Sequence, residues 1–260
     1  PAGEWYLAHL VGRPYTPLGR CVLGRETALQ EVHWTDEWPR IRGGVPADTV
    51  PAPAGVTVVP ADDRETDDFD APELGVNWST LRRPATPDWV DLTSRPSFLR
   101  LRGGQSPMAL QRPSLVARRV TAQRCTLETI LEFTPRNYRQ LAGITGYYNT
   151  RNWYYLHVTA DDGGAAVLDV LTCDSGKVRA VPDARVALGG TGRVGLRVTF
   201  DGPALRFAYT LDPDAGADWR EIGPAFDATI LSGEYAARVV DGEPAAWGFT
   251  GAFVGLWSQD

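Results

Sequence analysis

The chain has 260 residues, 26 basic against 32 acidic, for a formal charge of −6, and shows no basic stripe or Lys/Arg block, which argues against a nucleic-acid partner. No run approaches the ~20 apolar residues a membrane helix needs, so no membrane partner is expected. Twenty Pro and 27 Gly, mostly between short apolar runs, favour an all-β architecture of one large domain or one domain plus part of another.

The opening PAGEWYLAHLVG has no initiator Met and is already a strand pattern. The chain therefore reads as a fragment, and a missing signal peptide carries little weight. Cys21, Cys125 and Cys173 are widely spaced and form no CxxC, so they read as buried free thiols rather than a redox or metal set.

In chain order, Glu4 to Val11 reads as a strand with Trp5, Leu7 and His9 on one face. Cys21 to Trp34 is either a helix, by its ALQEV core, or two short strands, and Trp34, Trp38 and a turn at Pro39 close this unit near Gly44. Such a piece has too little apolar material to fold alone and needs a partner outside this sequence. Val45 to Asp62 carries Pro46, Pro51, Pro53 and Pro60 among small residues, the composition of an extended linker. Arg64 to Asp70 (RETDDFD) reads as a solvated edge strand or, alternatively, a calcium site, although it lacks an EF-hand loop. It leads into Leu74 to Leu81, anchored by Trp78.

From Phe98 onward strands follow at short spacing: FLRLRG, SLVARRV, CTLETILEF, AAVLDVLTC, VRAVP, RVGLRVTF, LRFAYTL and GAFVGLW. Most alternate apolar with polar residues, as two stacked antiparallel sheets require. In their midst Leu141 to Thr159 reads as a hairpin turning at Asn149-Thr150-Arg151-Asn152. Its second arm puts Trp153, Tyr155, His157 and Thr159 on one face and Tyr154, Leu156 and Val158 on the other. Large side chains on both faces mark a strand central to a sandwich.

The residues alone mark out no chemistry. His9, His33 and His157 lie on strand-like runs, Gly103-Gly104 and Gly189-Gly190 lack a phosphate-loop context, and no carboxylate pair stands out. On these grounds the chain is a β-sandwich module of unknown ligand. As a binding module it would use Trp89, Trp153 or Trp219 as an exposed stacking platform.

A resemblance sharpens this reading. GEWYLAHLVGRP with CVLGRETALQEVHWTDEWP resembles the end of the five-bladed β-propeller of glycoside hydrolase family 43, of the β-xylosidase and α-L-arabinofuranosidase type. DDFDAPELGVNWSTLR, RPSFLRLRG, RPSLVARRV, QLAGITGYYNTRNWYYLHVT, DATILSGEY and GFTGAFVGLWSQD resemble, in order, the concanavalin-like β-sandwich (jelly roll) that follows it. The resemblance implies residues 1–45 as closing propeller strands, 46–62 as linker and 63–260 as sandwich.

It further implies hydrolysis, with inversion, of terminal β-1,4-xylosyl or α-L-arabinofuranosyl bonds of xylo-oligosaccharides. The catalytic carboxylates would lie on propeller blades that are not in this sequence, so those blades are an expected partner. Arg25, of GRETA, is implied to reach the substrate pocket, with an ion pair to Glu26 or another carboxylate as the structural alternative. Phe249, of GFTGAF, is implied to wall off the pocket mouth, with a core aromatic as the alternative. No cofactor is required for catalysis. In some relatives of that family a calcium ion sits in the sandwich, held partly by the first acidic strand, which makes Asp68 a candidate ligand here, although the strand expected to give a second ligand is missing from this sequence. A cytoplasmic setting, with secretion as the alternative, and a homo-oligomer also accord with the resemblance.

Overall fold

The computed structural model describes residues 3–57, 59, 65–190, 192–215, 218–240, 243–246 and 248–260, with the backbone alone for 238–240 and 243–246. Residues 58 and 60–62 of the expected linker, and residues 63 and 64 beyond it, lie outside the described residues.

Strands β1 (Trp5–Val11), β2 (Glu26–Thr35) and β3 (Trp38–Ile41) form an antiparallel sheet of their own, with β2 in the middle. Of the segment Cys21 to Trp34, expected as a helix or two strands, residues from Glu26 onward thus lie in one ten-residue strand, and Cys21 to Arg25 precede it without strand structure. With β1 and β3 bonded to its two edges, ladder pairing overrides the local helix preference of ALQEV. The turn falls at Asp36-Glu37, both at positive φ (49° and 64°), as a two-residue hairpin requires. Pro39 instead lies in the edge strand β3, opposite Trp34. Trp5, Leu7, Leu10, Trp34 and Trp38 of this sheet are exposed, and Trp5 and Trp34 meet edge to face at 5.6 Å.

Three two-residue strands come next: β4 (Ser79–Thr80), β5 (Val90–Asp91) and β6 (Arg100–Leu101). The described part of the acidic run, residues 65–70, is not a strand. Its carboxylates are held by side chains: Asp67 accepts from the Trp78 indole at 2.6 Å, Asp70 from the Ser97 hydroxyl at 2.7 Å, and Glu65 pairs with Arg118.

The sandwich uses β7 (Ser114–Arg119), β8 (Arg124–Glu132), β9 (Leu141–Asn149), β10 (Asn152–Ala160), β11 (Ala166–Asp174), β12 (Lys177–Ala180) and β13 (Val186–Ala187). It continues with β14 (Arg193–Asp201), β15 (Ala204–Thr210), β16 (Arg220–Asp227), the small hairpin β17 (Arg238–Val240) and β18 (Glu243–Ala246), and β19 (Phe253–Gln259). The larger sheet runs β12-β11-β10-β9-β19-β7-β4, with β13 also on β11; the smaller runs β16-β15-β14-β8.

The chain's last strand is inserted between β9 and β7, at the centre of the larger sheet. Every residue of β10 is buried. Its Tyr154, Leu156 and Val158 enter the core between the sheets with Leu196, Phe200, Leu205 and Phe207. Trp153 and Tyr155 pack on the opposite face with Tyr147 and Trp257. Burial on this scale supplies roughly 1.5–3 kcal/mol per large apolar side chain.

Candidate functional site

The segment between β1 and β2 ties the small sheet to the sandwich. Val22 and Leu23 are inserted into the sandwich core. Around them the backbone is stitched across the seam: the Ala252 N–H donates to the Val22 carbonyl at 2.7 Å, and the Arg25 N–H to the Phe249 carbonyl at 2.9 Å. Arg119, at the end of β7, donates from Nη2 to the carbonyls of Leu23 (2.6 Å) and Arg25 (2.7 Å). Gly24 (φ 69°) and Gly251 (φ 75°) face each other so closely that a Cβ on either would strike the other's backbone. Both positions therefore demand glycine.

This stitching delivers Arg25 and Phe249 to one place. The guanidinium carbon lies 5.2 Å from the Phe249 ring centroid, a cation–π distance. Phe249 is 48% exposed, so it is no core aromatic, while Phe253 packs on the outer-face cluster. The carboxylate partner of Arg25 is not its neighbour: Glu26 pairs with Arg13 through two 2.8 Å bonds. Arg25 Nη1 instead donates to Glu234 Oε1 at 2.6 Å, so the ion pair expected as the structural alternative for Arg25 is present, with a carboxylate other than Glu26.

Glu234 sits in a short helix, α1 (Gly233–Ala236), whose cap Ser232 accepts from the Tyr235 N–H. Its second oxygen accepts from the Cys21 N–H at 2.9 Å. Burial alone would raise this carboxyl, but the Cys21 N–H and the Arg25 guanidinium outweigh it and hold the pKa below its ordinary value. The same bond raises that of Arg25. Burial raises the Tyr148 phenol, whose buried oxygen closely approaches Gly248 and Gly233.

The seam therefore brings together Arg25 and Phe249, the two residues the sequence singles out, with Glu234, Arg119 and the Gly24–Gly251 approach, which it does not. DATILSGEY contains the glutamate, but nothing local distinguishes it from 31 other acidic residues.

Asp68 lies apart from this site. It is exposed, and among the described residues no three His, Cys, Asp or Glu side chains gather as a metal ion would need. Its neighbours Glu65, Asp67 and Asp70 are engaged by protein donors. Of the expected aromatic platform, Trp89 and Trp153 are buried, and Arg197 lies 3.9 Å over the Trp219 ring. The three cysteines are free thiols, with Cys21 and Cys173 buried. No helix among the described residues is long and apolar enough to cross a membrane.

The model of the β-xylosidase C-terminal concanavalin A-like domain of glycoside hydrolase family 43 matches residues 66–260. Two curated relatives align over essentially the whole chain. A xylan 1,3-β-xylosidase of a Vibrio species is 37% identical over 99% of this chain, and xylosidase/arabinosidase 43B of Humicola insolens is 36% identical over 100% of it. In each case this chain spans 48% of the relative. Among solved structures, xylan β-1,4-xylosidase from Bacillus halodurans C-125 superposes with a TM-score of 0.89 at 38% identity, covering 99% of this chain and 48% of that one. The chain thus spans about half the length of the relatives it matches, and it belongs to glycoside hydrolase family 43, of whose β-xylosidases it carries the C-terminal concanavalin A-like β-sandwich.

Proposed function

We propose that this chain is the C-terminal half of an inverting glycosidase that releases terminal β-1,4-xylosyl or α-L-arabinofuranosyl units from xylo-oligosaccharides. In this reading β1–β3 complete a propeller whose other blades carry the general acid and base, spaced to admit the attacking water. The exposed Trp5, Leu7, Leu10, Trp34 and Trp38 fit that partner, because a sheet with so much uncovered apolar surface calls for a neighbour.

One observation carries the reading: the seam brings the Arg25 guanidinium and the half-exposed Phe249 ring together, 5.2 Å apart. Among the described residues Nε and Nη2 of Arg25 make no hydrogen bond, so this edge is available to sugar hydroxyls. The Phe249 ring supplies an apolar wall that shortens the cleft, as exo-acting trimming of short oligosaccharides requires. Free thiols at Cys21, Cys125 and Cys173 support a cytoplasmic setting.

The test is release of p-nitrophenol from aryl β-xyloside and aryl α-L-arabinofuranoside, by this chain alone and by the chain with its upstream region restored. Activity only in the restored protein is expected, and the preferred glycoside names the sugar. Activity of the 260-residue chain alone would overturn the assignment, since its catalytic pair would then have to lie within it.

A further inference from the structure

We propose that Glu234 is a positioning residue: the sandwich sets the geometry of the sugar pocket by holding the Arg25 side chain through this one carboxylate. The inference rests on the substrate-binding role of Arg25 proposed above.

The backbone of residues 21–25 is fixed without help from any carboxylate. Cross-seam bonds from Ala252, to Phe249 and from Arg119 hold it, and Val22 and Leu23 are buried. None of these bonds sets the direction of the Arg25 side chain, which has four rotatable bonds beyond the backbone. Among the described residues two contacts do: the Phe249 ring beneath the guanidinium and Glu234 Oε1 at 2.6 Å from Nη1.

Glu234 is itself well anchored. Its Oε2 is fixed by the Cys21 N–H, and it follows the fully buried Ser232, whose hydroxyl donates to the Thr229 carbonyl at 2.7 Å. A carboxylate tied to the main chain on one oxygen and to the guanidinium on the other works as a fixed bracket. It engages Nη1, and among the described residues Nε and Nη2, two near-parallel donors on one edge, make no hydrogen bond. That edge matches a pair of neighbouring hydroxyls on a pentose. Pairing with an anion also offsets the arginine's charge, which suits a neutral sugar.

A residue acting only through Arg25 has no effect once Arg25 is gone, and a double-mutant cycle reads this directly. The protein is the chain with its upstream region restored, assayed on the better of the two aryl glycosides. Glu234→Ala is expected to lower kcat/KM about ten-fold, chiefly by raising KM, and to change it less than about two-fold in an Arg25→Ala background. Glu234→Gln, which keeps the size and one acceptor oxygen, is expected to fall between wild type and Glu234→Ala, and it completes the cycle if the alanine variant does not fold.

Equal losses in both backgrounds would overturn the positioning role and leave a general structural one. Wild-type kinetics in both Glu234 variants would overturn it as well. Inactivity of the restored wild-type protein on both glycosides would instead sink the functional reading on which the inference stands.

Discussion

Arg25 is joined to Phe249 twice: its backbone N–H donates to the Phe249 carbonyl at 2.9 Å, and its guanidinium lies 5.2 Å from the centre of the Phe249 ring. The first bond fixes where the two main chains meet; the second aligns their side chains on the exposed rim of that seam. One residue comes from the segment that enters the small sheet and the other from the loop that enters the last sandwich strand. The two parts of the chain therefore build this place jointly.

The close approach of Gly24 to Gly251 underlies that seam. Gly24→Ala places an L-residue at φ 69° and drives a Cβ into the Gly251 backbone. A loss of at least about 1 kcal/mol is expected from the left-handed backbone alone, with more from the collision. Urea unfolding measures the loss, and a crystal structure of the variant should show the Phe249 loop displaced.

The neighbouring carboxylate gives the control. Glu26 pairs with Arg13, and both are partly exposed. Glu26→Gln should therefore change stability by only about 0–1 kcal/mol. In the restored protein it should leave aryl glycoside kinetics near wild type. A loss as large as that of Glu234→Ala would place Glu26, not Glu234, behind Arg25.

His157 gives the fold a pH dependence of its own. Complete burial lowers its pKa from 6.5 to about 4, outweighing the bond to the Tyr155 carbonyl and the charge of Asp169; Arg185 also lowers it. Between those pH values the unfolded chain binds a proton that the folded chain refuses. Stability from this group is thus complete above pH 6.5 and declines as pH falls toward 4, by about 3 kcal/mol over the whole interval. His157→Gln should flatten the urea midpoint between pH 6.5 and 5, where carboxylates contribute little. An unchanged slope would mean that His157 is not buried neutral.

Trp257 tests the centre of the larger sheet. It is 1% exposed, it meets Tyr147 and Trp153 edge to face, and its carbonyl accepts from the Tyr155 hydroxyl at 2.8 Å. Trp257→Ala should cost about 3–5 kcal/mol, read from chemical unfolding. The same change at exposed Trp38 should cost this chain far less, because no atoms close over that ring.

The sandwich was legible where side chains alternate between two faces, even in a strand buried throughout. The run from Trp153 to Thr159 alternates cleanly, and the structure puts its two faces in two different apolar clusters. Period-2 reading failed where a strand carries breakers. β16 includes Gly223 and Pro224, and its register with β15 shifts between Leu205 and Phe207, so its sequence resembles a loop. It failed again at β2, where a locally helical composition yields to two flanking strands. The site was half legible. Arg25 and Phe249 sit in recognisable motifs, but Glu234 becomes their neighbour only through tertiary folding, and no local pattern encodes a pair so far apart in the chain.

The most direct test of the pocket-closing role is the chain-length profile of Phe249→Ala in the protein with its upstream region restored. It compares kcat/KM on xylobiose and on longer xylo-oligosaccharides. With the ring gone, the variant should lose rate on xylobiose and relax its preference for short substrates, because the cleft opens on that side. If both rate and chain-length preference match wild type, the sandwich does not wall the pocket, and the role assigned to the Arg25–Phe249 seam is wrong.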